Sequence, residues 1–374
     1  MVLPARLKTL INESLCETLF AKMPRKKQSE VELFEGAAAR SPVSLKQLAT
    51  HLNLSPTTLS WVLNDSPSAN SIPLETKERI RAAAREFKYR PNFLARSFRA
   101  QKTHTLGVMV PELSDGYSSM VLSGVEDVLL DAGYFYFLAS HRHRENLLEF
   151  YPQMFIDRRV EGIIAVDTSA AMPADVPIVS VSGTEAQGNA RILLNHDHAA
   201  SIALDHLLGL GHSEIAFIKG QEFSSDTEVR WDAIQRAAEQ RGLEIETDLV
   251  SQLEGDSPSP EVGLRAMRKI LKRRKPFTAI FAFNDVSAIG AIRALENAGL
   301  KVPEDVSVLG FDDIYAAAFH NPALTTIRQP LFEMGKLAAK TLLEMLQNRD
   351  IPESKVLTVE PTLIVRDSTA KLRT

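Results

Sequence analysis

The chain has 374 residues, of which 44% are apolar and 24% are charged, and its formal net charge is −4. This length predicts two or three domains, and the composition is typical of a soluble globular protein. No apolar run reaches the about 18 residues that span a bilayer. A membrane protein is therefore disfavoured. Glu13 and Glu17 would interrupt the apolar core of a signal peptide, which disfavours a secreted protein. Cys16 is the sole cysteine, which disfavours a fold held by disulfides. A cytoplasmic location without membrane contact is expected.

Charge is unevenly distributed along the chain. Residues 43–104 carry ten Lys and Arg against four Asp and Glu, and residues 1–42 carry seven against five. The remainder carries 26 basic against 38 acidic side chains. A basic front end on an acidic body favours a module that binds a polyanion, although a solvated charged helix gives the same count. Residues 1–42 have no hydrophobic period and are interpreted as a flexible leader, with Met23 as an alternative start.

The region after the leader has the pattern of a helix-turn-helix. Ser44 and Gln47 match a capping box at the start of a first helix. Asn53 stands at the following turn, where the backbone must be left-handed. Ser55, followed by proline, matches the start of a second helix. A third helix is predicted from about Leu74 to Phe87.

From Leu106 onward, short apolar runs alternate with stretches of helical period. Strands alternating with helices predict βαβ units, and about 265 residues suit two parallel-sheet lobes better than one sheet. The predicted strands are Leu106–Val110, Phe135–Ala139, Gly162–Val166, Ile178–Val181, Ile215–Ile218, Ala279–Phe283 and Val306–Gly310. The predicted helices include Tyr117–Asp131, Asp197–Leu210, Glu228–Arg241, Glu261–Lys272 and Val286–Ala298.

A succession of motifs in this order resembles the LacI/GalR family of transcriptional regulators. The resemblance covers roughly residues 43 to 368, and the succession is far more specific than a lone helix-turn-helix. Beyond the helix-turn-helix, the motifs are Tyr89–Arg99, Leu106–Pro111, Arg158–Ile164, His206–His212, Phe283–Gly290, Val302–Ile314 and Leu324–Pro330.

The resemblance implies a small all-α DNA-binding headpiece joined to an α/β body of two Rossmann-like lobes, similar to periplasmic sugar-binding proteins. We assign residues 43–90 to the headpiece, 91–103 to a hinge helix and linker, and 104–370 to the body. The family's chain crosses between the lobes three times, which is expected here near Asn195, near Leu324 and after about Asp350.

The start of the second helix is the predicted DNA-reading end, because short polar side chains there reach base edges and phosphates. Ser55 and Thr58 are expected to bond phosphates and Thr57 to contact a base; for a Ser or Thr taken alone, a role as a cap or a surface group is the more common one. The full set of candidates on this helix is Ser55, Thr57, Thr58, Ser60, Trp61 and Asn64.

Trp61 departs from the family, in which an arginine usually stands at this position. An indole cannot replace the bidentate guanine contact of an arginine. It could pack on a thymine methyl, on sugar edges or on the hinge, or it could be a core residue. The family's operator preference is therefore not transferable.

In the hinge, the positive charges of Arg96 and Arg99 could contact phosphates or a narrow minor groove. Phe98 occupies the position where the family usually inserts a leucine between base pairs, and phenylalanine is also a wedge residue. The alternative is that Phe98 anchors the hinge to the body. A hinge helix of only about seven residues is not stable alone in water and needs DNA and dimerisation to form. We therefore expect it to switch between a folded and an unfolded state.

Polar residues directly after strands are candidates for binding an effector, because ligands bind at the carboxyl ends of strands in such lobes. By resemblance, Arg230 holds ligand hydroxyls or a carboxylate, and Asn284 and Asp312 bond sugar hydroxyls; a structural salt bridge is the alternative for Arg230 and Asp312. Tyr117 could stack on a sugar ring or lie in the core. The candidates are Asp115, Tyr117, Ser182, Arg230, Asn284 and Asp312, with Asp285 next to them.

Several cleft positions depart from the family pattern. Asn195-His196 replaces Asp-Asn, Ser182-Gly183 replaces Asp-Arg, and residues 115–118 lack the usual aromatic pair. The effector therefore need not be that of known relatives, nor a plain sugar.

The sequence favours a dimeric, effector-controlled DNA-binding repressor that binds a pseudo-palindromic operator in double-stranded DNA. A solute-binding protein would need a signal peptide and no helix-turn-helix. An enzyme would need a nucleophile elbow, a phosphate loop or a metal cluster, and none of these motifs is present. We expect no catalysis, no cofactor, no metal, and a small-molecule partner that is carbohydrate or carbohydrate-like.

Overall fold

The computed structural model describes residues 43–89, 102–114, 116–168, 176–182, 189–256, 259–348 and 354–373. The chain divides into two compact units, Met1–Ala100 and Gln101–Thr374. Among the described residues, no helix is both long enough and apolar enough to cross a membrane.

The first unit is a helical headpiece. Its helices are α1 (Leu45–Leu52), α2 (Pro56–Leu63) and α3 (Leu74–Glu86), with a 3-10 turn at Pro67–Ser71. The capping box of Ser44 and Gln47 is present, and Asn53 has φ 53° at the turn, so both predictions are confirmed. A small core holds the three helices together; its buried side chains are Leu48, Ala49, Leu59, Val62, Ala69, Ile80 and Ala83.

The second unit is an α/β body in which strands and helices alternate. Its strands are β1 (Thr105–Val110), β2 (Phe135–Ser140), β3 (Ile163–Val166), β4 (Ile178–Val181), β5 (Ala190–Leu194), β6 (Ile215–Lys219), β7 (Val250–Gln252), β8 (Ala279–Ala282), β9 (Ser307–Asp312), β10 (Thr325–Arg328), β11 (Lys355–Val359) and β12 (Thr362–Ile364). Its helices are α4 (Tyr117–Asp131), α5 (Glu145–Asp157), α6 (His196–Gly209), α7 (Asp226–Gln240), α8 (Pro260–Lys272), α9 (Asp285–Asn297), α10 (Tyr315–Phe319) and α11 (Leu331–Asn348).

The strands form two six-stranded sheets, one in each lobe. The order in the N-terminal lobe is β11-β5-β4-β3-β1-β2, and every pair is parallel. The order in the C-terminal lobe is β12-β10-β9-β8-β6-β7, where only the β12–β10 pair is antiparallel. β1, β3, β8 and β9 are buried along their whole length because helices cover both faces of the sheets. The predicted fold class is confirmed.

The first crossing between the lobes lies where it was predicted. β5 ends at Leu194 in the first sheet, and α6 begins at His196 in the C-terminal lobe, so the chain crosses at Asn195. There the Asn195 amide donates to the Glu360 carboxylate over 3.0 Å, which ties the first crossing to the third.

Strand pairing also locates the other two crossings. Leu324 is fully buried in the C-terminal lobe and leads into β10, which pairs with β9, so the chain leaves that lobe only after Arg328, a few residues beyond the predicted position near Leu324. β11 still pairs with β5 in the first sheet, so the third crossing follows Val359, which agrees with the prediction that it comes after about Asp350.

Two glycines let α4 and α11 pack closely on the N-terminal sheet. A Cβ atom on Gly124 would lie 1.9 Å from the Phe332 carbonyl oxygen, and one on Gly335 would lie 2.0 Å from the Val121 carbonyl oxygen. This contact fixes α11, which follows the second crossing, against α4, which begins at the cleft.

Candidate functional site

The start of α2 uses two of its predicted DNA-contacting hydroxyls in its own cap. The Ser55 Oγ accepts a hydrogen bond from the Thr58 amide over 3.0 Å, and it lies 2.8 Å from the Thr58 Oγ1. Ser55 is exposed and Thr58 is half-buried. The helix cap is the structural alternative anticipated for Ser55. The cap leaves lone pairs of the Ser55 and Thr58 hydroxyl oxygens available at the surface.

At the other end of α2, Asn64 folds back on the helix. Its side-chain amide donates to the Ser60 carbonyl oxygen over 2.8 Å and to the Ser60 Oγ over 3.2 Å. Both side chains are thereby held on the helix surface.

Thr57 and Trp61 form the outward-facing ridge of α2. They are four residues apart, which places them on one face of a helix. Thr57 is exposed, and the Trp61 side chain is 38% exposed and lies outside the headpiece core. Neither side chain makes a hydrogen bond to another residue in the described part of the chain. The hinge candidates Arg96, Phe98 and Arg99 lie outside the described residues, as does Asp115 of the cleft.

The second candidate site is a cleft of about 640 Å³ between the two lobes, open to solvent. Loops at the carboxyl ends of β1, β2 and β3 form one wall, and loops after β6, β7 and β8 form the other. The polar side chains that line it include Glu112, Arg142, His143, Asp167, Gln221, Ser224, Asp256 and Asn284.

Three non-glycine residues that line this cleft have positive φ angles: Arg142 (50°), His143 (53°) and Asp167 (38°). Such conformations cost of order 1–3 kcal/mol each and cluster at functional sites.

Tyr117 and Ser182 meet on the N-terminal lobe. The Tyr117 hydroxyl lies 2.5 Å from the Ser182 Oγ. Burial of the hydroxyl raises the pKa of Tyr117 well above its usual value, and the negative charges of Asp226, Asp167 and Asp312 raise it further. The tyrosine is therefore a neutral donor at neutral pH, and it lies within the electrostatic reach of aspartates from both lobes.

Arg230 is buried at the start of α7 on the C-terminal lobe, with only 4% of its surface exposed. Its guanidinium carbon lies 3.7 Å from the ring centre of Phe311 and 4.3 Å from that of Phe283. One terminal nitrogen donates to the Phe283 carbonyl oxygen, and the other lies 3.6 Å from the Asp226 carboxylate. The Nε has no hydrogen-bond partner among the described residues.

Asp312 and Asn284 have structural partners of their own. The Asp312 Oδ1 accepts from the Gln329 amide over 2.6 Å, which joins the end of β9 to the second crossing. Asn284 caps α9, since its Oδ1 accepts from the Ser287 amide over 2.9 Å. Asp285, in contrast, is fully buried behind the cleft and bonds Ile314 and Thr326.

Asp226 lies beside Arg230, and His196 lies beside Asp226; neither was predicted as a site residue. The His196 Nε2 lies 3.9 Å from the Asp226 carboxylate. Burial lowers the pKa of His196 to about 4, so the ring is neutral at neutral pH. Its Nδ1 has no hydrogen-bond partner among the described residues.

Two direct contacts bridge the lobes across the cleft. The Asp167 carboxylate of the N-terminal lobe accepts from both the hydroxyl and the amide of Ser225 in the C-terminal lobe. Next to it, the His143 ring packs on the Phe223 ring, with 4.0 Å between the ring centres and 32° between the planes. We call these two contacts the interlobe bridge.

The site residues that the sequence analysis missed differ in how readily the sequence could have identified them. Asp167 directly follows β3, so the rule that identified Ser182 after β4 would have found it. Ser225 and Phe223 lie in the loop after β6 and have no distinctive spacing. Asp226 and His196 are recognisable only once α6 and α7 are seen to pack together.

Comparisons with known proteins agree with this architecture. A family model described as a periplasmic binding protein-like domain matches residues 204–369. The HTH-type transcriptional repressor PurR of Haemophilus influenzae is 30% identical over 336 residues, covering 87% of this chain and 98% of that protein. PurR of Aliivibrio fischeri is 31% identical over 336 residues, with the same coverage.

Solved structures give the same result. The lac repressor dimer bound to operator and the anti-inducer ONPF aligns with a TM-score of 0.78 and 23% identity, over 88% of this chain and 100% of that one, which shows the shared fold. The transcriptional regulator CelR in complex with cellobiose aligns with a TM-score of 0.65 and 26% identity, over 87% of this chain and 99% of that one. The chain belongs to the LacI/GalR family: it is a DNA-binding transcriptional repressor with a ligand-binding effector domain, and not an enzyme.

Proposed function

We propose that the protein represses transcription as a homodimer on a pseudo-palindromic operator, and that a small molecule in the interlobe cleft controls its affinity for DNA. The interlobe bridge is the observation that carries this proposal. Because groups from both lobes meet in the cleft, a ligand bound there interacts differently with different lobe geometries. A ligand shifts a conformational equilibrium only through such differential interactions. The bacterial cytoplasm, around the nucleoid, is the proposed location.

On the DNA side, the exposed ridge of Thr57 and Trp61 is the proposed base-reading surface. The threonine offers a hydroxyl and a methyl, and the indole offers apolar area and one donor. Ser55, Thr58, Ser60 and Asn64 are assigned to phosphates and to positioning, since their polar groups already shape the two ends of α2. Arg96 and Arg99 would add positive charge in the hinge, and Phe98 would unstack the central base step.

On the ligand side, Arg230 Nε, Ser182 and the Tyr117 hydroxyl are the proposed donors, and Asp115 and Asp312 the proposed acceptors. Asn284 would supply its amide nitrogen, because its oxygen caps α9. The effector is proposed to be polyhydroxylated. Donors and acceptors in close succession suit hydroxyl groups, and solved relatives include complexes with cellobiose and ribose.

A dimer is proposed from exposed aromatic surface on both lobes. β2 is the edge strand of the N-terminal sheet, and Phe135 and Phe137 are 64% and 36% exposed on it. On the C-terminal lobe, Tyr315 and Phe319 of α10 are 77% and 87% exposed. An apolar edge strand and exposed aromatic residues are features that a second copy would cover.

Selection from a random pool of double-stranded DNA tests the central claim. We expect an enriched sequence with two related half-sites centred about 10 base pairs, or a multiple of that, apart. A Thr57→Ala, Trp61→Ala double variant is the control, and it should lose the enrichment while keeping salt-sensitive binding to random DNA. Enrichment of no palindrome, or an unchanged selection with the double variant, contradicts the proposal.

A further inference from the structure

We propose that the α/β body has a second DNA-binding surface, which contacts the phosphate backbone of a duplex without reading its sequence. The surface is the exposed side of α8 together with the turn that follows this helix. The proposal depends on neither the operator nor the effector, so it goes beyond the proposed function and can fail separately from it.

Seven cationic side chains lie within eleven consecutive residues of the body. The stretch from residue 265 to residue 275 contains no Asp or Glu, and it holds seven of the 26 Lys and Arg residues that follow His104. All seven are exposed. We call them the α8 basic face: Arg265, Arg268, Lys269, Lys272, Arg273, Arg274 and Lys275. In a body with 38 acidic side chains, this concentration indicates a surface for a negatively charged partner.

The helical part of the α8 basic face forms a row along one side of α8. Arg265, Arg268 and Lys272 are three and four residues apart, which places them on one face of the helix. The opposite face packs into the lobe. The row is about 10 Å long at 1.5 Å per residue. One strand of a DNA duplex has a phosphate about every 3.4 Å along the axis, so the row matches about three phosphates.

Neighbouring carboxylates offset only part of this charge. Lys269 and Lys275 form ion pairs with glutamates, over 2.5 Å and 3.1 Å. The carboxylates that pair with the cations, act on them electrostatically or share α8 with them are Glu246, Asp248, Glu254 and Glu261. Seven cations against these four carboxylates leave an excess of three positive charges.

Three of the cations make no hydrogen bond or ion pair to another described residue. Arg265 and Arg273 donate to main-chain carbonyl oxygens, but Arg268, Lys272 and Arg274 have no such partner. A helix favours cations in its last turn, which accounts for Lys272 but not for Arg268. Arg274 lies beyond the helix at φ 57°, where glycine is the usual residue. Helix stability therefore does not explain these two arginines.

The α8 basic face lies away from the effector cleft. Val262, near the start of α8, lines the cleft, whereas Lys272 is ten residues further along the helix, or about 15 Å. The next strand, β8, begins at Ala279, and its carboxyl end leads back to the cleft. A duplex bound to the α8 basic face therefore leaves the cleft accessible, and the two sites can be tested independently.

A DNA duplex fits this surface better than an acidic protein does. Stable protein interfaces have an apolar core with aromatic anchors. Among the described residues between 224 and 314, no large apolar side chain is exposed. Exposed Lys and Arg side chains without apolar neighbours suit phosphates, which are contacted at the surface and specify no sequence. DNA is also the polyanion that this repressor meets through its headpiece, which raises the local concentration of phosphates around the body.

A capture assay with the full-length protein tests this proposal. A duplex of random sequence is fixed to beads and loaded with the protein, and a second, fluorescent duplex of random sequence is then added at several NaCl concentrations. We expect the wild type to capture the second duplex. Arg268→Gln with Lys272→Gln should weaken this capture by about tenfold or more at low salt, and should lower the slope of log affinity against log salt by about two.

Arg236→Gln with Lys340→Gln is the matched control. It also removes one arginine and one lysine from exposed helix positions, in α7 and α11, and it should capture the second duplex as the wild type does. Arg274→Gly removes a further charge where the backbone favours glycine, and it should lower the salt slope by about one. This single variant decides the test by itself if the double variant does not fold.

Three outcomes overturn the proposal: no capture of the second duplex by the wild type, equal capture by the double variant, or an equal loss in the matched control. Poly-glutamate is the competitor that represents an acidic protein. Displacement of the captured duplex by poly-glutamate at a lower concentration of charge than by unlabelled duplex would assign the surface to a protein instead.

Operator selection separates this proposal from the proposed function. The double variant should select the same operator as the wild type, because the α8 basic face does not read bases. Failure of the wild type to select an operator overturns the proposed function and leaves the capture result unaffected.

Discussion

Replacing Asp285 by asparagine should remove a pH-dependent weakness of the C-terminal lobe. The carboxyl is fully buried at the start of α9. Its two oxygens accept from the Ile314 amide over 2.9 Å and from the Thr326 hydroxyl over 2.6 Å. Burial raises the pKa of Asp285 from 3.8 to about 7, and the hydrogen bonds from the Thr326 hydroxyl and from the backbones of Ile314 and Asp313 only partly oppose the shift.

The direction of the effect follows from proton binding. The folded protein holds this proton more tightly than the unfolded chain, so the stabilisation is fully present below pH 3.8 and is lost as the pH rises to about 7. A shift of roughly 3 units corresponds to about 4 kcal/mol at 1.36 kcal/mol per unit. Roughly 2.5 kcal/mol of this falls between about pH 5 and 8.5.

Asparagine can reproduce the hydrogen bonds to Ile314 and Thr326 without a charge. Its oxygen can accept from the Ile314 amide, and its nitrogen can donate to the Thr326 hydroxyl, which rotates to accept. We therefore expect the variant to gain on the wild type as the pH rises, by roughly 2.5 kcal/mol in the free energy of unfolding between about pH 5 and 8.5.

Urea denaturation of both proteins, followed by circular dichroism at several pH values, measures this gain. Asp205→Asn is the matched control, because it removes an exposed carboxylate whose pKa is lowered by its hydrogen bonds to Arg241. The control should not gain on the wild type at high pH. Parallel stability curves for wild type and Asp285→Asn would refute the assignment of a raised pKa to this carboxyl.

Three further predictions concern function. Trp61→Ala should weaken operator binding by about 1–2 kcal/mol, because part of a large apolar side chain would no longer be buried against DNA. The headpiece should stay folded, because the indole lies outside its core. Fluorescence anisotropy measures this, and unchanged affinity would remove Trp61 from the interface. Arg230→Lys should abolish the effector response but keep operator binding, since a lysine keeps the charge beside Asp226 but has no planar group to stack on Phe283 and Phe311. Release assays that match the wild type would exclude this role. Phe137→Glu should shift the protein to monomer in sedimentation, since the side chain is exposed on an edge strand; an unchanged dimer would place the interface elsewhere.

Much of the architecture could be predicted from the sequence because local signals and burial agree there. α4 and β4 have the predicted bounds, and the Asn53 turn has the predicted conformation. In these segments the hydrophobic period and the capping residues all favour the same structure.

The strands that were missed have no such local signal. β10 reads Thr-Thr-Ile-Arg, yet Thr325 and Thr326 are fully buried because the neighbouring strand and the chain after β12 cover them. β11 is an edge strand that begins at Lys355 and stays mostly exposed. Both strands depend on long-range pairing, which a window along the sequence does not contain.

The candidate site also has one part that could be predicted from the sequence and another that could not. Arg230 was identified from its motif, but the two rings that cover it come from Phe283 and Phe311, far along the chain. Asp226 and His196 approach each other only through the packing of α6 on α7. Motifs and strand ends identified the candidates, of which Asn284 lines the cleft among the described residues, whereas the partners of these candidates are determined by the tertiary fold.

The interlobe bridge also has a kinetic consequence. While Asp167 holds Ser225 and His143 packs on Phe223, the two lobes are held together, and we expect an effector to bind fully only to the fraction of molecules in which they have parted. Its observed association rate is then the intrinsic rate multiplied by the fraction of molecules that are open. Once the molecule is inside, the same contacts delay its departure. If the proposed function holds, we expect the timing of the transcriptional response to depend on how often this bridge breaks as well as on how tightly the effector is held.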